Sequence, residues 1–337
     1  MKGKIFYDSL PYYFVILLLH IVGIGLLAIT AMHNASFWGI GLLAYTLGLR
    51  HAFDADHIAA IDNTVRKLIQ QKQKPVGVGF FFSLGHSTVV FLMAILVGFS
   101  VKFAQLKLPL LQAVGGKIGS LVSGLFLIVI GVANFLIFFN LNSRVKDIKA
   151  GSFNEKEFND LLLSRGFLTK FLGKLFKFIK CPWQMYPVGF LFGLGFDTAT
   201  EIALIALSAS TASESVSIWG ILALPLLFTA GMNLMDTTDS VMMSGAYSWA
   251  FDTPVRKIYY NLVVTGVSVI AAFVIGPIEL IQVMADGFYA RGKFWEWIQG
   301  IDFNFLGYGL VLTFLFVWLV AYIGSRIIMK KKETIRS

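Results

Sequence analysis

The stretch Gly48-Leu49-Arg50-His51-Ala52-Phe53-Asp54-Ala55-Asp56-His57-Ile58 places two imidazoles, two carboxylates and a guanidinium within residues 50–57. The segment around it is apolar and long enough to cross a bilayer. An ionised side chain at the centre of such a span costs about 2.5–3.5 kcal/mol on insertion scales. Residues of this kind are kept where they pair, line a water-filled path or bind something. Histidine with carboxylate is a donor set for a divalent transition metal, imidazole suiting nickel, zinc, copper and iron.

The rest of the chain agrees with a membrane setting. Of its 337 residues 57% are hydrophobic and 14% charged, against about 25% charged in a soluble domain. The fold expected is all-α: a polytopic membrane protein with eight transmembrane helices in a single domain, 1–337. The spans fall near 12–32, 37–60, 78–101, 119–139, 186–209, 218–248, 258–284 and 305–329. The run 12–32 exceeds the roughly 7–15-residue core of a signal peptide and reads as a retained first span. With the N-terminus inside, the outer segments hold only Lys102, Lys107, Lys117, Arg291 and Lys293. Arg50 lies in the membrane, which leaves 22 of the 28 Lys and Arg on the inner side. Both termini are thus expected in the cytoplasm, and the +9 net charge reads as a topology signal, with no nucleic-acid partner. Residues 140–185 form a basic cytoplasmic loop. In it Ser152-Phe-Asn-Glu155 fits a capping box. Phe167, Phe171 and Leu175 interleaved with Lys170, Lys174 and Lys177 describe an amphipathic helix, on the inner leaflet or beneath the bundle. One cysteine, Cys181, excludes an internal disulfide.

Metal-ligand chemistry recurs at similar depth in other spans. His51 lies about ten residues, ~15 Å, from the inner end of span two, near the midplane of a ~30 Å core. On an ideal helix His51, Asp54 and Asp62 share a face, His57 lies beside Asp54, and Asp56 points away. Either the helix breaks here, or Asp56 faces another helix. Span three offers Phe82-Ser-Leu-Gly85-His86-Ser87, span five Phe196-Asp197-Thr-Ala-Thr-Glu201, and span six Gly231-Met232-Asn233-Leu-Met-Asp236-Thr-Thr-Asp239. Bland roles suit some of these residues: packing or hydrogen bonding for His20, helix contact for the glycines, packing for the methionines. The acids resist that reading. Asp54, Asp56, Asp197, Glu201, Asp236 and Asp239 face one internal cation, Arg50, so protons or bound cations must offset them. Phe53-Asp54 is echoed by Phe196-Asp197, and Phe82-x-x-Gly85 by Phe228-x-x-Gly231. The same order three spans apart has the form of an inverted repeat, as some transporters have, with chance the alternative for matches this short.

These four motifs resemble the signatures of the nickel/cobalt transporter (NiCoT) family, and within it the NixA-type nickel permeases. The resemblance runs in order from the first span through the last, and no departure breaks a motif. It implies eight helices, cytoplasmic termini, a bacterial cell membrane, and uptake of Ni²⁺ or Co²⁺ as substrate with no cofactor. It makes the His51-x4-Asp56-His57 element the selector of the metal. His86, Asp197, Glu201, Asp236 and Asp239 take the other motif positions. His20 matches a first-span polar position acting with span two, and Asn233 stands where the family varies.

The direct ligands expected are His51, Asp54, His57 and His86. His20, Arg50, Asp56, Asp197, Glu201, Asn233, Asp236 and Asp239 are expected around them or along the ion pathway. Two other function classes fit less well. An intramembrane protease would need a Gly-x-Gly-Asp motif, which Gly193-Leu-Gly195-Phe196-Asp197 interrupts, and its Tyr-Asp partner occurs only as Tyr7-Asp8. A metal sensor would not need ligands at mid-depth in four spans. No Walker-type P-loop occurs, so no ATPase motor is evident. The membrane potential suffices: a +2 ion gains ~4.6 kcal/mol per 100 mV, over 1,000-fold accumulation by this estimate.

Overall fold

The computed structural model describes residues 2–99, 114–132, 134–135, 138–139, 179–195, 204, 207–208, 218–250, 254–287, 291–301 and 303–336. Among them there is no strand. The helices are α1 (Lys2–Ala31), α2 (Phe37–His51), α3 (Ala55–Gln70), α4 (Val78–Phe99), α5 (Val114–Val132), α6 (Met185–Gly193), α7 (Ile218–Ala250), α8 (Pro254–Gly287), α9 (Lys293–Gln299) and α10 (Phe303–Arg336). A 3₁₀ turn, Pro182–Gln184, leads into α6. Five stretches are long and apolar enough to cross a membrane: Ile5–Ala31, Val78–Leu96, Val114–Val132, Ile218–Ser248 and Thr265–Ala285. Residues 140–178 of the basic loop, Asp197 and Glu201 lie outside the described residues.

The chain is turned inside out relative to a soluble protein. Phe14, Leu17 and Ile21 of α1 and Leu312, Phe316 and Leu319 of α10 are exposed, while His51, His57, Asp62, Asn63, Arg66, Asn233 and Asp236 are buried. Lipid solvates the first set; the second avoids it by turning inward.

Span two is not one helix. Its straight course over 37–60 is replaced by α2 and α3, separated at Ala52-Phe53-Asp54. Asp54 leaves the helical region (φ −65°, ψ 144°), and its side chain accepts a hydrogen bond from the Ala55 amide at 3.1 Å. Its carbonyl takes the Ile58 amide at 3.1 Å, so it is the residue that starts α3. Carboxylates suit that place because the first-turn amides lack intrahelical partners. Gly307 of α10 packs directly on the Phe53 carbonyl, where a Cβ has no room. The break is therefore enclosed by protein, the condition under which non-helical backbone is tolerated at membrane depth.

α3 is buried on nearly every side. Ile58, Ile61, Val65 and Leu68 join Val78 and Phe82 of α4, Val188 and Phe192 of α6, Tyr247 of α7 and Phe314 of α10 in one core. Two helix pairs flank it with matching contacts. In α2 against α7, a Cβ on Gly48 would strike the Phe228 carbonyl, and one on Gly231 would crowd the Tyr45 carbonyl and Leu49 amide. In α6 against α4, a Cβ on Gly189 would strike the Phe82 carbonyl, and one on Gly85 the Tyr186 carbonyl and Phe190 amide. Each pair thus joins a Tyr-x-x-Gly helix to a Phe-x-x-Gly helix at backbone-contact distance, as small residues permit in membranes.

Candidate metal centre

Breaking span two re-aims its side chains. His51 ends α2, and His57 lies in the first turn of α3. Both turn toward His86 on α4, and all three are buried. One nitrogen from each ring can be chosen so that all three lie within 4.8 Å of one another. The ring centroids are 4.7 Å apart for His51 and His57, 4.8 Å for His51 and His86, and 4.7 Å for His57 and His86. Imidazole nitrogens ~2.1 Å from one ion stand about 3.0–3.4 Å apart. The His51 and His86 Nε2 atoms are 2.9 Å apart, close to that spacing and within hydrogen-bond distance of each other.

Asp236 of α7 orients the third ring. Its Oδ2 lies 3.2 Å from His57 Nδ1. A proton on Nδ1 donated to the carboxylate leaves the lone pair on Nε2, which is buried with no hydrogen-bond partner among the described residues. Phe82 stands edge-on to His57 at 4.9 Å, and Phe228 lies 5.7 Å from His51. The site is therefore three soft-to-borderline nitrogen donors in an apolar wall, with one carboxylate behind them.

Of the four expected ligands, His51, His57 and His86 converge, and the Asp54 side chain accepts from the Ala55 amide at the start of α3. Asp56 is half-buried and accepts the His57 amide at 2.8 Å. Arg50 is exposed on the last turn of α2. His20 sits apart, with Nδ1 at 2.8 Å from the Ile16 carbonyl and Nε2 at 3.2 Å from the Tyr45 hydroxyl. Asn233 is fully buried one turn before Asp236, and neither atom of its amide head has a partner among the described residues. Asp239 is half-buried, and its Oδ2 has no hydrogen-bond partner among the described residues.

Among the described residues the buried guanidinium is Arg66, which motif reading did not single out. It donates to Asp62 Oδ2 at 2.8 Å and to the Tyr247 hydroxyl at 3.0 Å, and it also meets Ser268 Oγ. Tyr247 and Ser268 donate to Asp62 at 2.5 and 2.6 Å. The signal available was the Asp62–Arg66 spacing of four on one helix, which pairs opposite charges.

A family profile described as High-affinity nickel-transport protein (NicO) matches residues 37–323. The chain is 54% identical to the nickel transporter NixA of Staphylococcus aureus over 312 residues, 93% of this chain and 92% of that one. It is 48% identical to the high-affinity nickel-transport protein NixA of Helicobacter pylori, over 96% of this chain and 97% of that one. Identity is 38% to the cobalt transport protein NhlF of Rhodococcus rhodochrous, over 93% and 90%. No solved structure matches the chain. With a profile covering most of its length and relatives this similar end to end, the chain belongs to the NicO high-affinity nickel-transport family.

Proposed function

We propose that this protein carries Ni²⁺ into the bacterial cytoplasm by secondary transport, using His51, His57 and His86 as the central ligands. The carrying observation is the meeting of three buried imidazoles at a broken helix, in a chain with five helices long and apolar enough to cross a membrane. Nitrogen donors select late first-row divalent ions over the far more abundant Mg²⁺ and Ca²⁺, which prefer oxygen. Asp236 holds His57 in its metal-accepting tautomer. Asp54 contributes by ending α2 and starting α3, with Asp56, Asp239, Asp197 and Glu201 supplying negative charge along the route. Co²⁺ is the second substrate, supported by the cobalt transport relative.

The topology that goes with this reading is eight spans in one domain, both termini cytoplasmic, and two halves related by a two-fold axis in the membrane plane. The matching α2·α7 and α6·α4 contacts support the two-fold relation. Exchanging the halves carries Gly48 on Phe228 onto Gly189 on Phe82, and Gly231 on Tyr45 onto Gly85 on Tyr186. Purified protein in vesicles tests the activity: Ni²⁺ should enter without ATP, faster when the inside is negative. Folded protein giving no flux above empty vesicles would refute transport, and competition with Co²⁺ ranks the two ions.

A further inference from the structure

α3 carries a second polar centre beyond the histidines. Asp62 lies five residues past His57, about 7.5 Å of helix rise. It is fully buried, as are its partners Arg66, Tyr247 and Ser268. Its two oxygens accept from three side chains on three helices: Arg66 of α3, Tyr247 of α7 and Ser268 of α8. The guanidinium also lies 5.4 Å from the Tyr247 ring centroid. Asp236 of α7 contacts His57, and Asp239 lies about one turn further along the same helix. Asp236 Oδ1 is buried with no partner among the described residues.

We propose that Asp62, with the hydroxyls of Tyr247 and Ser268, is an oxygen-ligand relay site for the transported divalent cation, and that Arg66 is the resident cation the metal displaces to enter it. This rests on the reading that the three histidines hold the metal. A carrier must bind its ion well enough to admit it and weakly enough to let it go. Three nitrogen donors hold Ni²⁺ firmly, whereas a carboxylate and two hydroxyls hold it less tightly, so a step from one to the other leads toward release. A buried carboxylate waiting for an ion still needs a counter-charge. Arg66 supplies it from the same helix, because a guanidinium stays protonated and its fork reaches Asp62 and both hydroxyl residues together. When a divalent ion reaches Asp62, repulsion from the guanidinium favours its swing away, and its return helps to expel the ion.

Ni²⁺ binding to detergent-purified protein by equilibrium dialysis tests this. Wild type should hold one Ni²⁺ per chain, lost in His51→Ala. Arg66→Gln should hold two, the second vanishing in Arg66→Gln/Asp62→Asn. An Arg66→Gln protein with no Asp62-dependent second equivalent overturns the relay site. Failure of the histidine reading looks different: wild type would bind nothing, or His51→Ala would bind as wild type does. The Asp62 arm stays readable then, being a difference between the single and double variants. Tyr247→Phe keeps the ion pair and serves if Arg66→Gln does not fold. Its maximal uptake rate should fall about tenfold or more with the half-saturating Ni²⁺ concentration unchanged. A wild-type maximal rate in Tyr247→Phe would also overturn the relay.

Discussion

The two centres on α3 solve opposite problems within two turns of one helix. At its N-terminal end His57 joins His51 and His86, its Nε2 without a hydrogen-bond partner among the described residues and one carboxylate, Asp236, behind. Further along, Asp62 and Arg66 neutralise each other, with both Asp62 oxygens supplied with donors. The first keeps one unpaired nitrogen, His57 Nε2, among the described residues; the second is an ion pair closed by its own cation. Neutral imidazole can be buried without a counter-charge, whereas the buried Asp62 carboxylate is matched by the Arg66 guanidinium. On the proposed reading, the difference teaches that unused donor capacity, more than charge, marks where an incoming ion binds first.

The largest break in this comparison comes from the histidines. His51→Ala removes a central ligand and should cut ⁶³Ni²⁺ uptake by more than ~100-fold, since loss of an outer partner alone costs ~10–100-fold. Protein content and melting temperature should stay near wild type, because an imidazole whose main role is to wait for metal holds little of the fold together. The Asp62–Arg66 pair should behave the other way. Arg66→Ala strands a buried carboxylate and should lower unfolding free energy by about 3–5 kcal/mol. Asp62→Asn/Arg66→Gln should recover most of that, measured by thermal or denaturant unfolding in detergent. Equal losses in single and double variants would mean that the pair's charges are not what matters.

Smaller changes sharpen the contrast. Asp236→Asn keeps the shape behind His57 but not the charge, and should weaken Ni²⁺ affinity ~10–100-fold with little effect on melting. Gly48→Ala and Gly189→Ala place a methyl on the Phe228 and Phe82 carbonyls, and each should cost about 1–3 kcal/mol. Similar losses from the two would support the repeat, and a large inequality would argue against it. The smallest effect belongs to Asp54→Asn, which retains capping ability. Asp54→Ala should lose about 0.5–2 kcal/mol, with uptake falling only as far as α3 shifts. A collapse of uptake in Asp54→Asn would instead make Asp54 a direct ligand.

Much of this protein could be read from residue order alone. Apolar length announced the membrane helices, and the ends of α4 and α7 fall within two residues of the expected 78–101 and 218–248. The histidines were legible because an imidazole in a bilayer span is costly and uncommon, so each one stood out. What one-dimensional pattern could not decide was how the span bends. A straight helix put Asp54 on the face of His51. The break between α2 and α3, with extended backbone at Asp54, made Asp54 a cap and brought His57 to His51 and His86. The buried cation shows the same limit. Arg50 stands in the most conspicuous motif yet is exposed, while Arg66, which counted only toward the inner-side charge, is buried and paired. Hydropathy places a residue along the membrane normal, and only packing decides which way its side chain turns. Asp62 draws its partners from helices nearly two hundred residues further along the chain, and separations of that size leave no local spacing to read. Composition thus settled where the polar groups had to hide, and the tertiary contacts of α3 settled which of them met.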